Sequence, residues 1–352
     1  MPQQPLIDLS SDTATRPTPA MRRAIAEAEV GDEQRGEDPS VNRLQEMVAE
    51  LLGKEAALFL PSGTMCNEIA VKVHTRPGDA ILADRRAHVF TSEAGGPALL
   101  SGVLVETLDG ERGRFTPEQV AAAIKPGSWH VARTSLLCLE QTHNAGGGAI
   151  WPLEQLRAVC EVAHAHGLAT HLDGARLLNA VVASGVPARD YAAPCDSAWL
   201  DLSKGLGAPV GGVLAGSADF VHEARRYKHL FGGAMRQAGI IAAAGVYALE
   251  HHVDRLAEDH ANAQLLAGGL GDIPGVRVDN PEPETNMVFF DLAGTGMAPP
   301  AFMAAIQERG VRVSGGGARL RAVTHLDVSR ADVERALDVM GAVLAGADRR
   351  RA

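Results

Sequence analysis

Aromatic side chains are scarce in this chain. Eight phenylalanines, three tyrosines and three tryptophans stand against 38 glycines in 352 residues, a balance that suits close helix-on-sheet packing rather than a core of stacked rings. Basic residues are also short. With 33 lysines and arginines against 43 acidic residues the formal net charge is −10, which argues against a nucleic-acid partner, since phosphates want a basic surface. Local basic clusters can still bind small anions. The four cysteines, Cys66, Cys138, Cys160 and Cys195, lie far apart without metal-type spacing, so they read as free thiols in a reducing compartment, with no metal site. No apolar run reaches the roughly 18 residues that a membrane crossing needs. Met1 to Ser10 has neither a basic n-region nor an apolar h-region, so a soluble, cytoplasmic protein without a membrane partner is expected. There is no internal repeat and no low-complexity tract, and the tail Asp348 to Ala352 reads as a frayed, solvated end.

What is present is a long alternation. From Ala56 to Gly216 short apolar strands alternate with helices, which predicts an α/β domain with a parallel or mostly parallel sheet covered on both faces. The length exceeds that of one compact domain, so a smaller appendage is expected as well. The apolar stretch Ala238 to Leu249 is predicted as a buried helix linking the two, and the segments after His251 read as an α+β unit.

The chain is organised around Leu202-Ser203-Lys204-Gly205-Leu206-Gly207-Ala208-Pro209-Val210-Gly211-Gly212. One lysine stands between a predicted strand, Ala198 to Leu202, and a run of glycines. A cationic stem at an apolar strand end must find a partner or become a nucleophilic amine. Upstream, the predicted strand Gly167 to Leu172 delivers Asp173 to its carboxyl end, ahead of Gly174. Ligands of open α/β sheets sit outside the carboxyl ends of strands. An aspartate and a lysine on consecutive strand ends suit pyridoxal 5'-phosphate, whose aldehyde needs the amine and whose ring nitrogen needs the carboxylate. Asp173 alone would also serve as a helix N-cap, but that does not account for Lys204 at the next strand end. Strand, small turn and helix at Pro61-Ser62-Gly63-Thr64 leave free backbone N–H groups, an anion site assigned here to the cofactor phosphate; a simple N-cap is the other reading. His88, at a strand end, can stack on a flat pyridine ring or be a hydrogen-bonded loop histidine. His143 also lies at a strand end, before Gly146-Gly147-Gly148. The polar loop Gly31 to Pro39 is a solvated connector or part of a site.

These residues resemble the pyridoxal-phosphate-dependent threonine aldolases of the fold-type-I, β-eliminating-lyase group. The resemblance runs from about Leu9 to Ser329. It is carried by Ser11-Asp12-Thr13-Ala14-Thr15-Arg16-Pro17-Thr18, Gly36-Glu37-Asp38-Pro39, Pro61-Ser62-Gly63-Thr64-Met65, Glu93-Ala94-Gly95-Gly96, His171-Leu172-Asp173-Gly174-Ala175-Arg176, the Lys204 stretch, Met235-Arg236-Gln237-Ala238-Gly239 and Val323-Thr324-His325-Leu326-Asp327. It implies a mostly parallel seven-stranded sheet in a large cofactor-binding domain, 41–250, a small α+β domain, 251–352, and an N-terminal arm and loop, 1–40, packed at a subunit interface. A homotetramer, a dimer of dimers with its sites at subunit interfaces, is implied too.

By the same resemblance Lys204 would carry the cofactor, Asp173 would hold its ring nitrogen protonated and His88 would stack on the ring. Ser62, Gly63 and Thr64 would hold the phosphate, reached by Arg236 from a neighbouring subunit, and Arg176 would lie beside cofactor and substrate. Ser11, Arg176 and Arg321 would bind the substrate carboxylate, with Arg319 the alternative to Arg321. His143 and His88 are the candidates to contact the substrate hydroxyl. The implied activity is cleavage of L-threonine, L-allo-threonine or related β-hydroxy-α-amino acids to glycine and an aldehyde. A β-eliminating lyase, an aminotransferase and an inactive cofactor-binding relative are the alternatives. Two positions depart from the family pattern. Gln34-Arg35 replaces Val-Tyr in the polar loop, and His229 replaces a lysine for which the adjacent Lys228 would compensate. A guanidinium in place of the aromatic favours a polar or acidic aldehyde portion. Relative rates on threonine, phenylserine and 3-hydroxyaspartate should therefore shift toward phenylserine in Arg35→Tyr, and an unchanged preference would refute this role for Arg35.

Overall fold

A computed structural model describes residues 6–348. Residues 349–352, which make up most of the expected frayed tail, lie outside the described residues. The chain divides into two compact units, one of them running from Pro17 to Val253.

In this larger unit seven strands form one sheet in the order Ala56–Leu60, Gly212–Gly216, Ser197–Asp201, Ala169–Gly174, Thr134–Glu140, Ala80–Asp84 and Leu104–Leu108. Gly212–Gly216 runs antiparallel to both its neighbours, and the other pairings are parallel. Every residue of Thr134–Glu140, Ser197–Asp201 and Ala80–Asp84 is buried. Such continuous burial is what helices on both faces impose on a parallel sheet. The register sets Glu140 beside Asp173 and Asp173 beside Trp199, so these three residues form a row across adjacent strands near their carboxyl ends. Two glycines let the backbone close on Trp199. A Cβ on Gly63 would lie 2.2 Å from the indole ring, and one on Gly174 would lie 1.9 Å from the Trp199 carbonyl oxygen.

The smaller unit takes the described residues up to Arg16 together with those from Asp254 on. Its four-stranded antiparallel sheet has the order Ser314–Gly316, Arg319–Val323, Met287–Asp291 and Arg277–Val278. The helices Leu256–Gly271, Pro299–Gln307 and Arg330–Asp348 accompany it. Phe290, Phe302, Leu266, Leu320 and Met340 are in its core.

Two expectations need correction. The described part of the 1–40 arm is divided between the two units: Ile7 and Asp8 pair in parallel with Val311 and Arg312 in the smaller unit, whereas the helix Pro19–Ala26 packs on the helix Gly239–His251 in the larger one. The helix expected to be buried over Ala238 to Leu249 is buried at Ala238, Gly239, Ala242, Ala244, Gly245 and Ala248, whereas Ile240 is exposed. Between His88 and Ser101 the chain is irregular. A short helix, His88–Thr91, gives way to a turn in which Ala94 has φ 54° and Gly95 φ 76°, and a π-type turn, Pro97–Ser101, follows. Among the described residues no helix is long and apolar enough to cross a membrane.

The polar loop is tied down by Asp38. This buried N-cap of the helix Pro39–Leu52 accepts from the backbone N–H of Val41 at 3.0 Å, of Gly239 at 2.8 Å and of Gly31 at 3.2 Å. Asp38→Ala strands three N–H groups and should cost roughly 2–4 kcal/mol, read as a lower denaturant midpoint with an unaltered slope.

Candidate active site

Lys204 follows the end of the Ser197–Asp201 strand, in a loop closed by Leu202 N–H donating to the Gly211 carbonyl at 3.0 Å and Ala208 N–H to the Leu202 carbonyl at 3.0 Å. Its Nζ donates to Asp201 Oδ2 at 2.5 Å and stands 5.5 Å from the centroid of the Trp199 ring. The other Asp201 oxygen accepts from the backbone N–H and hydroxyl of Ser203 at 2.7 and 2.9 Å. The lysine side chain is 17% exposed, so a small molecule can meet it.

Asp173 is buried in the adjoining strand. Its Oδ1 accepts from Ala175 N–H at 3.0 Å and its Oδ2 from Asn67 Nδ2 at 2.8 Å. Burial, then the charge of Glu140, push its pKa up to about 6 against the opposing pull of His88, Asn67 and Lys204. The hub of this region is Asn67. Its Nδ2 also donates to Glu93 Oε1 at 2.6 Å, while its Oδ1 accepts from Trp199 Nε1 at 2.7 Å and His171 Nε2 at 3.1 Å. Burial depresses the His171 pKa to about 3, so that imidazole is neutral and serves as a spacer.

His88 enters from the end of the Ala80–Asp84 strand. Its backbone N–H donates to Glu140 Oε2 at 2.8 Å and its Nδ1–H to Glu93 Oε1 at 2.7 Å. The Glu93 bond raises its pKa. His143, by contrast, is 1% exposed. Its Nδ1 accepts from Gly146 N–H at 3.1 Å, and its Nε2 lies 3.3 Å from Asp84 Oδ1 and 4.0 Å from Glu140 Oε2. Burial would lower its pKa, but Glu140 and Asp84 carry it upward. Gly113 lies against the ring, where a Cβ would come within 2.1 Å. Glu140 Oε2 stands between His143 and the backbone N–H of His88.

Ser62 caps the helix Gly63–His74, its Oγ accepting from Met65 N–H at 3.2 Å, and both Ser62 and Thr64 are exposed. Arg176 is buried at the head of the helix Leu177–Ser184, and its N–H donates to the Gln141 carbonyl at 3.1 Å. Arg236 and Arg35 are both largely exposed and share one carboxylate: Asp32 Oδ2 is 3.0 Å from Arg236 Nη1 and 3.9 Å from Arg35 Nε. Lys228 does not compensate for His229. It is buried and paired with Glu33, while His229 faces outward. In the smaller unit Arg319 bonds Asp279 at 2.6 Å and lies over the Phe289 ring. Arg321 instead donates to the Ser10 carbonyl at 3.0 Å and to Ser314 Oγ at 3.2 Å, which puts it beside the segment that carries Ser11.

Asn67, Glu93, Glu140 and Asp201 had no role in the sequence reading. A lone amide in an otherwise apolar helix was the available signal for Asn67, and Glu93 stood in a motif without a function. His88, Glu93 and Asp173 also bring one ligand atom each within 4.8 Å of one another, and Glu93 bonds His88 while Asn67 bonds both Glu93 and Asp173.

A family model described as β-eliminating lyase matches residues 8–293. The low specificity L-threonine aldolase of Escherichia coli K12 is 44% identical over 326 residues, covering 92% of this chain and 95% of that protein. Low-specificity L-threonine aldolase 1 of Arabidopsis thaliana is 42% identical over 338 residues, 94% of each. Among solved structures, a threonine aldolase of Leishmania major matches with a TM-score of 0.82 at 21% identity, covering 96% of this chain and 99% of its own. A serine palmitoyltransferase of Sphingomonas wittichii matches with a TM-score of 0.76 at 19% identity, covering 97% and 88%. The structural likenesses are of fold.

The four bonds of Asn67 give a direct test. Asn67→Leu removes one hydrogen bond each from Asp173, Glu93, Trp199 and His171 and should destabilise the larger unit by about 3 kcal/mol or more in chemical denaturation. Loss of the donor should also move the Asp173 pKa above its value of about 6, a shift that titration followed by NMR would report.

Proposed function

Because the chain belongs to the β-eliminating lyase family, we propose that it is a pyridoxal-phosphate-dependent aldolase that cleaves L-threonine, L-allo-threonine or related β-hydroxy-α-amino acids to glycine and an aldehyde. The observation that carries this reading is the junction of Lys204 and Asp173 at adjoining strand ends, coupled through Trp199 and Asn67. The residues fit the cofactor. A buried carboxylate whose pKa is raised in the protein alone calls for a cationic N–H, which a protonated pyridine nitrogen provides, and a partly exposed amine stands on the neighbouring strand end. When bound, the cofactor supplies the electron sink for the breaking Cα–Cβ bond.

The chain's own residues then divide the work. Lys204 offers its amine, with Asp201 beside it to take up the ammonium proton's charge. Asp173 holds a proton on the ring nitrogen. Ser62 and the N–H groups of Gly63 and Thr64 bind the phosphate, helped by Arg236 of a neighbouring subunit in a homotetramer. Ser11, Arg176 and Arg321 bind the substrate carboxylate, for which a guanidinium fork is matched. His88 takes the β-hydroxyl proton, directly or through a water, since its Nδ1–H is committed to Glu93 and its ring is partly exposed. His143, enclosed by Asp84 and Gly113, supports it by fixing Glu140. Arg35 biases the pocket toward polar side chains. The absence of cysteine pairing in the four free thiols accords with a cytoplasmic setting.

Incubation with L-threonine and L-allo-threonine should yield acetaldehyde and glycine. Keto acid with ammonia, or amino-group transfer, would overturn the reading in favour of another fold-type-I activity. Lys204→Ala should lose both turnover and the visible absorbance of the lysine-bound cofactor, and Asp173→Asn should lower kcat roughly a hundredfold or more, as loss of a fixed charge-stabilising group does.

A further inference from the structure

Glu68 has no part in the chemistry described above. The helix Gly63–His74 buries Cys66, Ile69, Ala70 and Val71 on its inner side, and Glu68 is buried with them, 3% exposed. Among the described residues neither of its carboxylate oxygens meets a hydrogen-bond donor, and the same holds for Glu93 Oε2. The other Glu93 oxygen already accepts from Asn67 and His88. The Glu68 carboxyl is pressed against the turn after Glu93, since a Cβ on Gly96 would lie 1.9 Å from Glu68 Oε1. Gly96 N–H donates to the Glu93 carbonyl at 2.8 Å, which sets the Glu68 carboxyl beside the turn that carries Glu93, and the two carboxyl groups interact. Adjacent buried carboxylates cannot both ionise, and one proton between them provides the donor that each lacks.

We propose that Glu68 is a positioning residue that stays protonated and donates its proton to Glu93, leaving Glu93 with one oriented negative charge against the Nδ1–H of His88. This rests on the reading of His88 as the imidazole that meets cofactor and substrate. A carboxylic acid held neutral in a dry pocket so that it can donate is an established device. Burial first, and then the charge of Glu93, push the Glu68 pKa up to about 8. The other titratable groups in this field are His88 on the same loop as Glu93, Asp173, Glu140 and Cys138 from the strands, Cys66 from the helix, and Lys204. Most of these are acidic. Ionising Glu68 would add a further negative charge and bind the imidazolium form of His88 more tightly.

The test uses the holoenzyme. Infrared difference spectra between wild type and Glu68→Gln at mildly acidic pH should show the carbonyl stretch of a protonated carboxylic acid, and in wild type this band should fade as the pH is raised through about 8. NMR titration of labelled histidine should place the His88 pKa higher in Glu68→Leu than in wild type, with Glu68→Gln, which can still donate to Glu93, restoring the wild-type value. No such band in the difference spectrum, or a His88 titration identical in Glu68→Leu and wild type, overturns the proposal. Neither readout depends on which products the enzyme forms, so failure here is distinct from failure of the aldolase reading.

Discussion

Asp173 is a carboxylate in a nearly dry place, and the surrounding structure answers to that charge. Burial and Glu140 push its pKa up, while Asn67, His88 and Lys204 draw it back. A free carboxylate there would be costly to bury. The amide of Asn67 and the N–H of Ala175 satisfy its two oxygens, and Asn67 is in turn held by Trp199 and His171. The polar groups form a connected set in which the removal of one member leaves several others unmet.

The sheet makes this set possible. Parallel neighbours bring Glu140, Asp173 and Trp199 into one row, and the segments that leave the strand ends carry His88, His143 and Lys204. The larger unit thereby gathers groups distant in sequence without long loops, as open α/β sheets do at their carboxyl edges. The smaller unit sets Arg321 against the Ser10 carbonyl and Ser314, while the neighbouring Arg319 is spent on Asp279 and Phe289.

Strand and helix positions were largely legible in the sequence, because a sheet buried on both faces leaves long apolar runs and the glycines mark its turns. Lys204 and Asp173 were legible for the same reason, each being a charge at the end of an apolar strand. Asn67 and Glu68 were not. They sit inside an apolar helix, and their partners come from residues 26 to 132 positions away for Asn67 and from the far side of a turn for Glu68. Lys228 misled because an exposed cationic stretch in sequence says nothing about which lysine turns inward to meet Glu33. The division of residues 6–40 between two units was hidden because it depends on the pairing of Ile7 and Asp8 with Val311 and Arg312 near the other end of the chain.

Trp199 gives the architecture a further property. Its indole is met at close range by the start of one helix at Gly63, while its carbonyl is met by the strand end at Gly174, and its nitrogen is clasped by Asn67. The ring that the Lys204 ammonium faces is thereby tied to Asp173 through a single amide, so a substitution that shifts this indole is felt at both side chains.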